Sequence, residues 1–272
     1  MTSAFVWGCG DFGGGLLSRR TALFGVVLLS QITGMIMAAA LGLISNETVM
    51  LPSDVAWSLL SGVAGGIGIM ALYRGLADGR MAVVAPITAV IAAGIPVAVG
   101  IFFEGVPAPL VLVGIAIAMV AVVLVSSIDD GGASLSGLRY ALIAGIGLGT
   151  LGVFLAQISE GHAFGPLVLI RGTEAVLVAG IVLATRAAWR PRRDLVPAIA
   201  LVGVLDMAGN SAFILAIQAG SLAVAAVLSS LYPVTTVILA AVLLRERVSP
   251  RNAVGVMLAM LAIGFIAAGT AA

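Results

Sequence analysis

Residues 207–244 read MAGNSAFILAIQAGSLAVAAVLSSLYPVTTVILAAVLL, 38 positions without one charged side chain. A membrane-crossing helix takes about 20 apolar residues. The run is therefore long enough for most of two helices, and Gln218-Ala219-Gly220-Ser221 supplies a turn between them. Outward from it, the uncharged runs 21–46, 55–73, 81–103, 105–128, 140–159 and 252–272 each fit one helix. Two further stretches carry charge inside: 1–18 holds Asp11, and 165–186 holds Arg171 and Glu174. The reading is an all-α polytopic membrane protein with ten spans, near 2–18, 21–44, 55–77, 80–103, 109–127, 138–158, 165–186, 196–217, 221–244 and 250–270. The evidence is run length rather than periodicity, as expected for spans apolar all round.

Composition excludes the alternatives. Of 272 residues, 61% are hydrophobic and 9% charged, against about 25% charged in soluble domains. No water-facing surface can be built from this chain, and disorder, a basic nucleic-acid-binding domain and a disulfide-stapled fold are excluded with it. Cys9, the single cysteine, permits no internal disulfide. The net charge of +1 implies no nucleic-acid partner. The N-terminus has no basic segment and its apolar stretch holds Asp11, so it does not read as a signal peptide. It is short for a span, which leaves open a start upstream of Met1.

Shifted by 141 residues, the chain matches itself: Gly62 falls on Gly203, Gly68 on Gly209, Gly79 on Gly220, Pro109 on Pro250 and Gly114 on Gly255. The halves are 1–128 and 136–272, with a polar linker over 129–135 that begins Asp129-Asp130-Gly131-Gly132. Five spans per half is an odd number, so the second copy enters the membrane inverted. Inverted repeats that meet around a midplane cavity are a transporter architecture. Twelve Arg fall in odd-numbered loops, Arg186, Arg190, Arg192 and Arg193 among them, and none in even-numbered loops, which carry Glu47, Asp54, Glu104 and Glu160. Positive charge marks the cytoplasmic side, so odd loops are expected in the cytoplasm of an inner-membrane protein, with both termini outside.

Trp7-Gly8, the hairpin Leu231-Tyr232-Pro233-Val234 with Arg245-Glu246-Arg247, Gly255 and Gly264, and the fainter Glu104, Pro109 and Gly114 resemble EamA-type members of the drug/metabolite transporter superfamily along nearly the whole chain. The resemblance implies ten helices in two inverted five-helix repeats around a central cavity, and efflux of a small metabolite. It does not fix the substrate. Many members are believed to have cytoplasmic termini; the Arg count argues the opposite.

Four ionisable residues fall deep in spans: Asp11, Arg171, Glu174 and Asp206. Each costs roughly 2.5–3.5 kcal/mol at the centre of a lone inserted helix, so they belong in the bundle interior. Arg171 and Glu174 share a helix face, as do Asp206 and Asn210. None is mirrored, since positions 152 and 65 are Gly and 33 is Thr; one-sided acids suit a specialised site better than a scaffold. One positive against three negative charges must be balanced by a proton or a bound cation, so proton-coupled export or a cationic substrate is expected. Tyr232 and Trp7 are placed at the cavity, with Thr88, Ser229 and Ser230 near carbonyls freed by Pro86, Pro96 and Pro233. Gln31 and Gln157 read equally as cavity groups or interhelical hydrogen bonds. Tyr73 reads as a membrane-edge anchor, His162 as a surface loop residue, and Glu104 and Glu246 as helix-end contacts.

Gly8-Cys9-Gly10-Asp11 spells GxGD, the motif of intramembrane aspartyl proteases, with Asp206 as the second acid. Here that acid follows GxGD instead of preceding it, and the downstream Pro-Ala-Leu element is missing. Residues 8–13 also satisfy GxGxxG, but without a βαβ unit around them. HExxH and GxSxG are absent, and one His with one Cys makes no zinc site. A lipid-handling or non-transporting membrane protein is the third class. No cofactor is expected; the partners are a small-molecule substrate, protons and the bilayer.

Overall fold

In a computed structural model of the chain, residues 1–45, 47, 49–78, 81–126, 135–243 and 250–271 are described. Gly79, Arg80, residues 129–134 of the linker and Arg245-Glu246-Arg247 lie outside the described residues. The chain is 86% helical, and no strand occurs among the described residues. The helices are α1 (Thr2–Ser18), α2 (Leu23–Ser45), α3 (Pro52–Asp78), α4 (Met81–Glu104), α5 (Pro109–Ser126), α6 (Leu135–Leu155), α7 (Phe164–Thr185), α8 (Val196–Gln218), α9 (Leu222–Ser229), α10 (Tyr232–Leu243) and α11 (Pro250–Ala271), with a 3-10 turn, Arg193–Leu195, leading into α8. Among the described residues, six stretches are long and apolar enough to cross a membrane, in α2, α3, α4, α6, α7 and α8, the last including its leading 3-10 turn. Large apolar side chains such as Leu43, Phe102, Phe103 and Leu183 are exposed, the surface a bilayer would cover.

The ninth expected span is not one helix. Its run of 221–244 is divided into α9 and α10. Pro233 has no N–H for the carbonyl four residues back; the chain turns at Ser230-Leu231 and restarts with Pro233 in the first turn of α10, where proline is tolerated. The Val234 N–H reaches only to Leu231 O, at 3.0 Å.

The main seams join helices before residue 127 to helices after residue 134. α5 lies along α11, α3 against α6 and α7, α2 against α7 and α8, α1 against α8 and α10, and α4 against α6 and α9. Glycines let the backbones close up. A Cβ on Gly68 would meet Leu148, and one on Gly209 would meet Trp7; Leu148 and Trp7 are themselves 141 residues apart. Likewise a Cβ on Gly62 would stand 2.8 Å from Ile170 O of α7, while one on Gly203 would collide with Ser30 O and Thr33 Oγ1 of α2.

Loops meet at two ends. At the odd-loop end the Arg192 N–H donates to Thr21 Oγ1 at 2.9 Å. At the even-loop end, Glu47 accepts from the N–H groups of Ala163 (2.9 Å), Phe164 (2.9 Å) and Gly165 (2.8 Å) and so caps α7, whose N-cap residue offers no side chain of its own. Asp54, fully buried, accepts from Ser159 N (3.1 Å) and Oγ (3.0 Å). Gln218 Nε2 donates to the carbonyls of Ser159 (3.3 Å) and His162 (3.2 Å).

Two expectations are corrected. His162 is not a surface residue: the loop folds back over α3, leaving it 8% exposed with Nδ1 3.9 Å from Asp54 Oδ2. Tyr73 is no edge anchor either; it is 3% exposed, and its ring fills the space beside Gly14 of α1.

Candidate functional site

Six helices, α1, α2, α7, α8, α9 and α10, bring polar side chains to one central cavity of about 110 Å³. On α1, Trp7 and Asp11 sit one turn apart on one face, as do Asp206 and Asn210 on α8; Arg171 and Glu174 share a face of α7. Gln31 enters from α2, and Tyr232 from the start of α10. All seven candidates from the sequence, Trp7, Asp11, Arg171, Glu174, Asp206, Asn210 and Tyr232, line this cavity. The rest of the wall is mostly apolar or small, including Ile69, Leu72, Ala93 and Leu151.

Arg171 is the hub. Its Nη1 donates to Asp206 Oδ2 (2.6 Å), Gln31 Oε1 (2.6 Å) and Glu174 Oε2 (3.1 Å). Nη1 carries two hydrogens, so three acceptors must share them. Nε and Nη2 are buried without an acceptor among the described residues. Arg171 and Glu174 are each 2% exposed, so the pair is desolvated and interacts more strongly than it would in water. Asp206 stays partly open to the cavity, its side chain 24% exposed.

Asp11 faces the cavity without a hydrogen bond or ion pair among the described residues. Its neighbour Gly10 lies against α8, where a Cβ would stand 3.8 Å from Asp206 N. Trp7 Nε1–H donates to Asn210 Oδ1 at 3.0 Å, and the indole leans on Phe213 with ring centroids 5.4 Å apart. Ser229 and Ser230 complete the rim; Ser229 Oγ lies 2.6 Å from Ser3 Oγ, and Ser230 Oγ donates to Val227 O at 2.8 Å.

The sequence left Gln31 open, and it serves both roles: a cavity group that also bonds across helices. Gly65 and Gly152 went unremarked as site residues, yet they line the cavity. They stand 141 residues from Asp206 and Asp11, so that repeat spacing was the available signal. Gln157 lies instead in a second cavity nearer the even-loop end. Glu104 makes a helix-end contact, accepting the Leu222 N–H at 3.1 and 3.2 Å. The protease dyad finds no support in this geometry, because Asp206 is spent on a guanidinium instead of sharing a proton with Asp11.

No curated protein matches the chain. A solved structure described only as a crystal structure of a protein matches with a TM-score of 0.76 at 16% identity, covering 97% of this chain and 93% of its own; at that identity the likeness concerns the fold alone. Residues 135–268 match the EamA-like transporter family. The all-helical secondary structure of the described residues, the six long apolar helices among them and the polar cavity they help enclose fit that match, and the protein is a multi-pass membrane transporter of the EamA type, in the drug/metabolite transporter superfamily.

Proposed function

We propose that this transporter exports a small cationic metabolite or drug-like compound in exchange for protons, by alternating access to a site enclosed by two inverted five-helix repeats, 1–128 and 136–272. One observation carries the reading: a single cavity gathers three carboxylates and one guanidinium, and the guanidinium is committed to Glu174 and Asp206. The excess negative charge is largest when the cavity is empty of cations, and a low-dielectric site cannot hold it unmatched. Either a proton or a cationic solute supplies the balance, and competition between them is antiport. The aromatic pair Trp7 and Phe213 offers an apolar and cation-attracting wall beside the acids. The repeat architecture is supported by seams that recur in exchanged order, α1 on α8 and α6 on α3, α2 on α8 and α7 on α3. Cytoplasmic odd loops are supported by the Arg distribution.

The test is flux in proteoliposomes. A panel of lipophilic and hydrophilic amines should move against an imposed proton gradient and stay put without one. Asp206→Asn should abolish that movement while the protein still inserts and purifies as a folded species. Full activity of Asp206→Asn across the pH range would remove the acid from the mechanism.

A further inference from the structure

Two cavities lie end to end in this molecule. The central one touches α4 at Pro96, α6 at Gly152, α8 at Phe213 and α9 at Ala226. The second, about 280 Å³, touches the same helices at Val99 and Gly100, at Leu155 and Ala156, at Ile217 and at Leu222. On every one of the four helices the step between them is three or four residues, about one turn or ~5 Å. What separates them is apolar and tightly packed: Leu155, Phe213, Ile214 and Leu222 are each at most 3% exposed and belong to one cluster. The second cavity reaches the even-loop end, where Glu104, Gln157, Glu160 and Gln218 line it.

We propose that the second cavity is the vestibule through which the transported cation passes at the even-loop face, and that α9 is its gate. α9 suits the part. It is eight residues long and is cut off from α10 at Ser230-Leu231. Besides the Ser229–Ser3 contact with α1, two contacts hold it on α4. A Cβ on Gly100 of α4 would lie 3.2 Å from Ala223 Cβ, so the two backbones touch there. One turn away, both oxygens of Glu104 take the Leu222 N–H, and Ser221 gives α9 no side-chain cap of its own. Glu104 is thus the latch: its carboxylate satisfies the N-terminus of α9 only while α9 lies on α4. Swinging α9 away withdraws Leu222 from the plug, joins the two cavities and exposes acids on both sides of the opening to the passing cation.

The proposal rests on the transporter reading, and the experiment separates the two. In a Cys9→Ser background, Ala93→Cys places a thiol in the central cavity wall. A small cationic methanethiosulfonate, impermeant to lipid, is applied to either face of oriented vesicles. From the even-loop face, labelling of the parent should be slow. Glu104→Gln, which trades a charge-assisted bond for a neutral one, should speed it about tenfold; Leu155→Ala should speed it as well. Labelling from the odd-loop face should not change. A disulfide between Gly100→Cys and Ala223→Cys should stop even-face labelling until it is reduced. Unchanged rates in both loosened variants, or undiminished labelling of the cross-linked protein, would overturn the gate. If labelling responds as expected while no amine moves in flux assays, the gate stands and the cation-export reading falls.

Discussion

Replacing Arg171 by Gln tests whether the buried hub is the keystone of the site. Its Nη1 is the donor to three acceptors on three helices: Gln31 of α2, Glu174 of α7 and Asp206 of α8. Glutamine keeps an amide but removes the charge, which leaves Glu174, 2% exposed, and Asp206 without a counter-ion. Breaking a buried pair in this way costs about 3–5 kcal/mol, because the orphaned charge remains behind. Removing all the charges together costs much less. The expected pattern is therefore strong destabilisation of Arg171→Gln and near recovery in the triple variant Arg171→Gln, Glu174→Gln, Asp206→Asn. The sign with pH follows from which form is penalised: acid neutralises the stranded carboxylates, so the deficit of Arg171→Gln should shrink as pH falls. Reversible unfolding in detergent, followed by thiol trapping of Cys9 or by tryptophan fluorescence, measures all three variants. A single substitution that costs under about 1 kcal/mol, or a triple variant no more stable than the single, would refute the charge argument.

Other outcomes are expected from the same structure. Gly203→Val should destabilise by about 1–3 kcal/mol, since even a Cβ there collides with Ser30 and Thr33 of α2; thermal aggregation of purified protein reads it. Val49→Cys and Ala188→Cys, on exposed segments between α2 and α3 and between α7 and α8, should be labelled from opposite sides in intact cells, position 49 from outside; labelling of 188 from outside would reverse the orientation. Apparent affinity for a transported amine should weaken as pH falls, because protonation removes the charge that holds the cation, and the Asp11→Asn, Asp206→Asn variant should lose that slope. Matching pH profiles in the two proteins would sink proton competition.

What was legible in the sequence follows from what lipid punishes. Ionisable groups in an apolar chain stand out, so Asp11, Arg171, Glu174 and Asp206 could be picked before any geometry was known, and all four line one cavity. Helix ends were marked by charges and loops: α1 spans Thr2–Ser18 against 2–18 expected. Rotation about the helix axis was not legible, because spans that are apolar all round give no stripe to orient them. Tyr73 shows this, its height in the span readable and its burial against α1 not. Run length also hid the break between α9 and α10, for which Pro233 was the only local sign. The loop contacts of Asp54 with Ser159, and of Glu47 with the start of α7, join residues more than 100 positions apart, and nothing local encodes them.

The two halves proposed from the repeat are not expected to stand alone. Every main seam joins a helix before residue 127 to one after 134. A lone first half would turn the close-contact faces of Gly62 and Gly68 to lipid, and helix association in lipid depends on such packing. It would also strand polar groups whose partners lie across the seam: Gln31 without Arg171, Asp54 without Ser159, and Thr33 Oγ1 without its 3.4 Å contact to Ala200 O. Unsatisfied polar groups are expensive where no water can replace the partner. Rocking 1–128 rigidly against 136–272 would open all these seams together, whereas moving α9 disturbs only the contacts of one short helix with α4, α5, α8 and α1, the Glu104 latch and the Ser3–Ser229 contact among them. Residues 1–130 expressed alone should therefore be degraded or aggregate, and co-expression with 131–272 should restore a complex that purifies as one species. A monodisperse, protease-resistant first half would show that each repeat holds itself together, and the argument for a local gate over a rigid rocking motion would go with it.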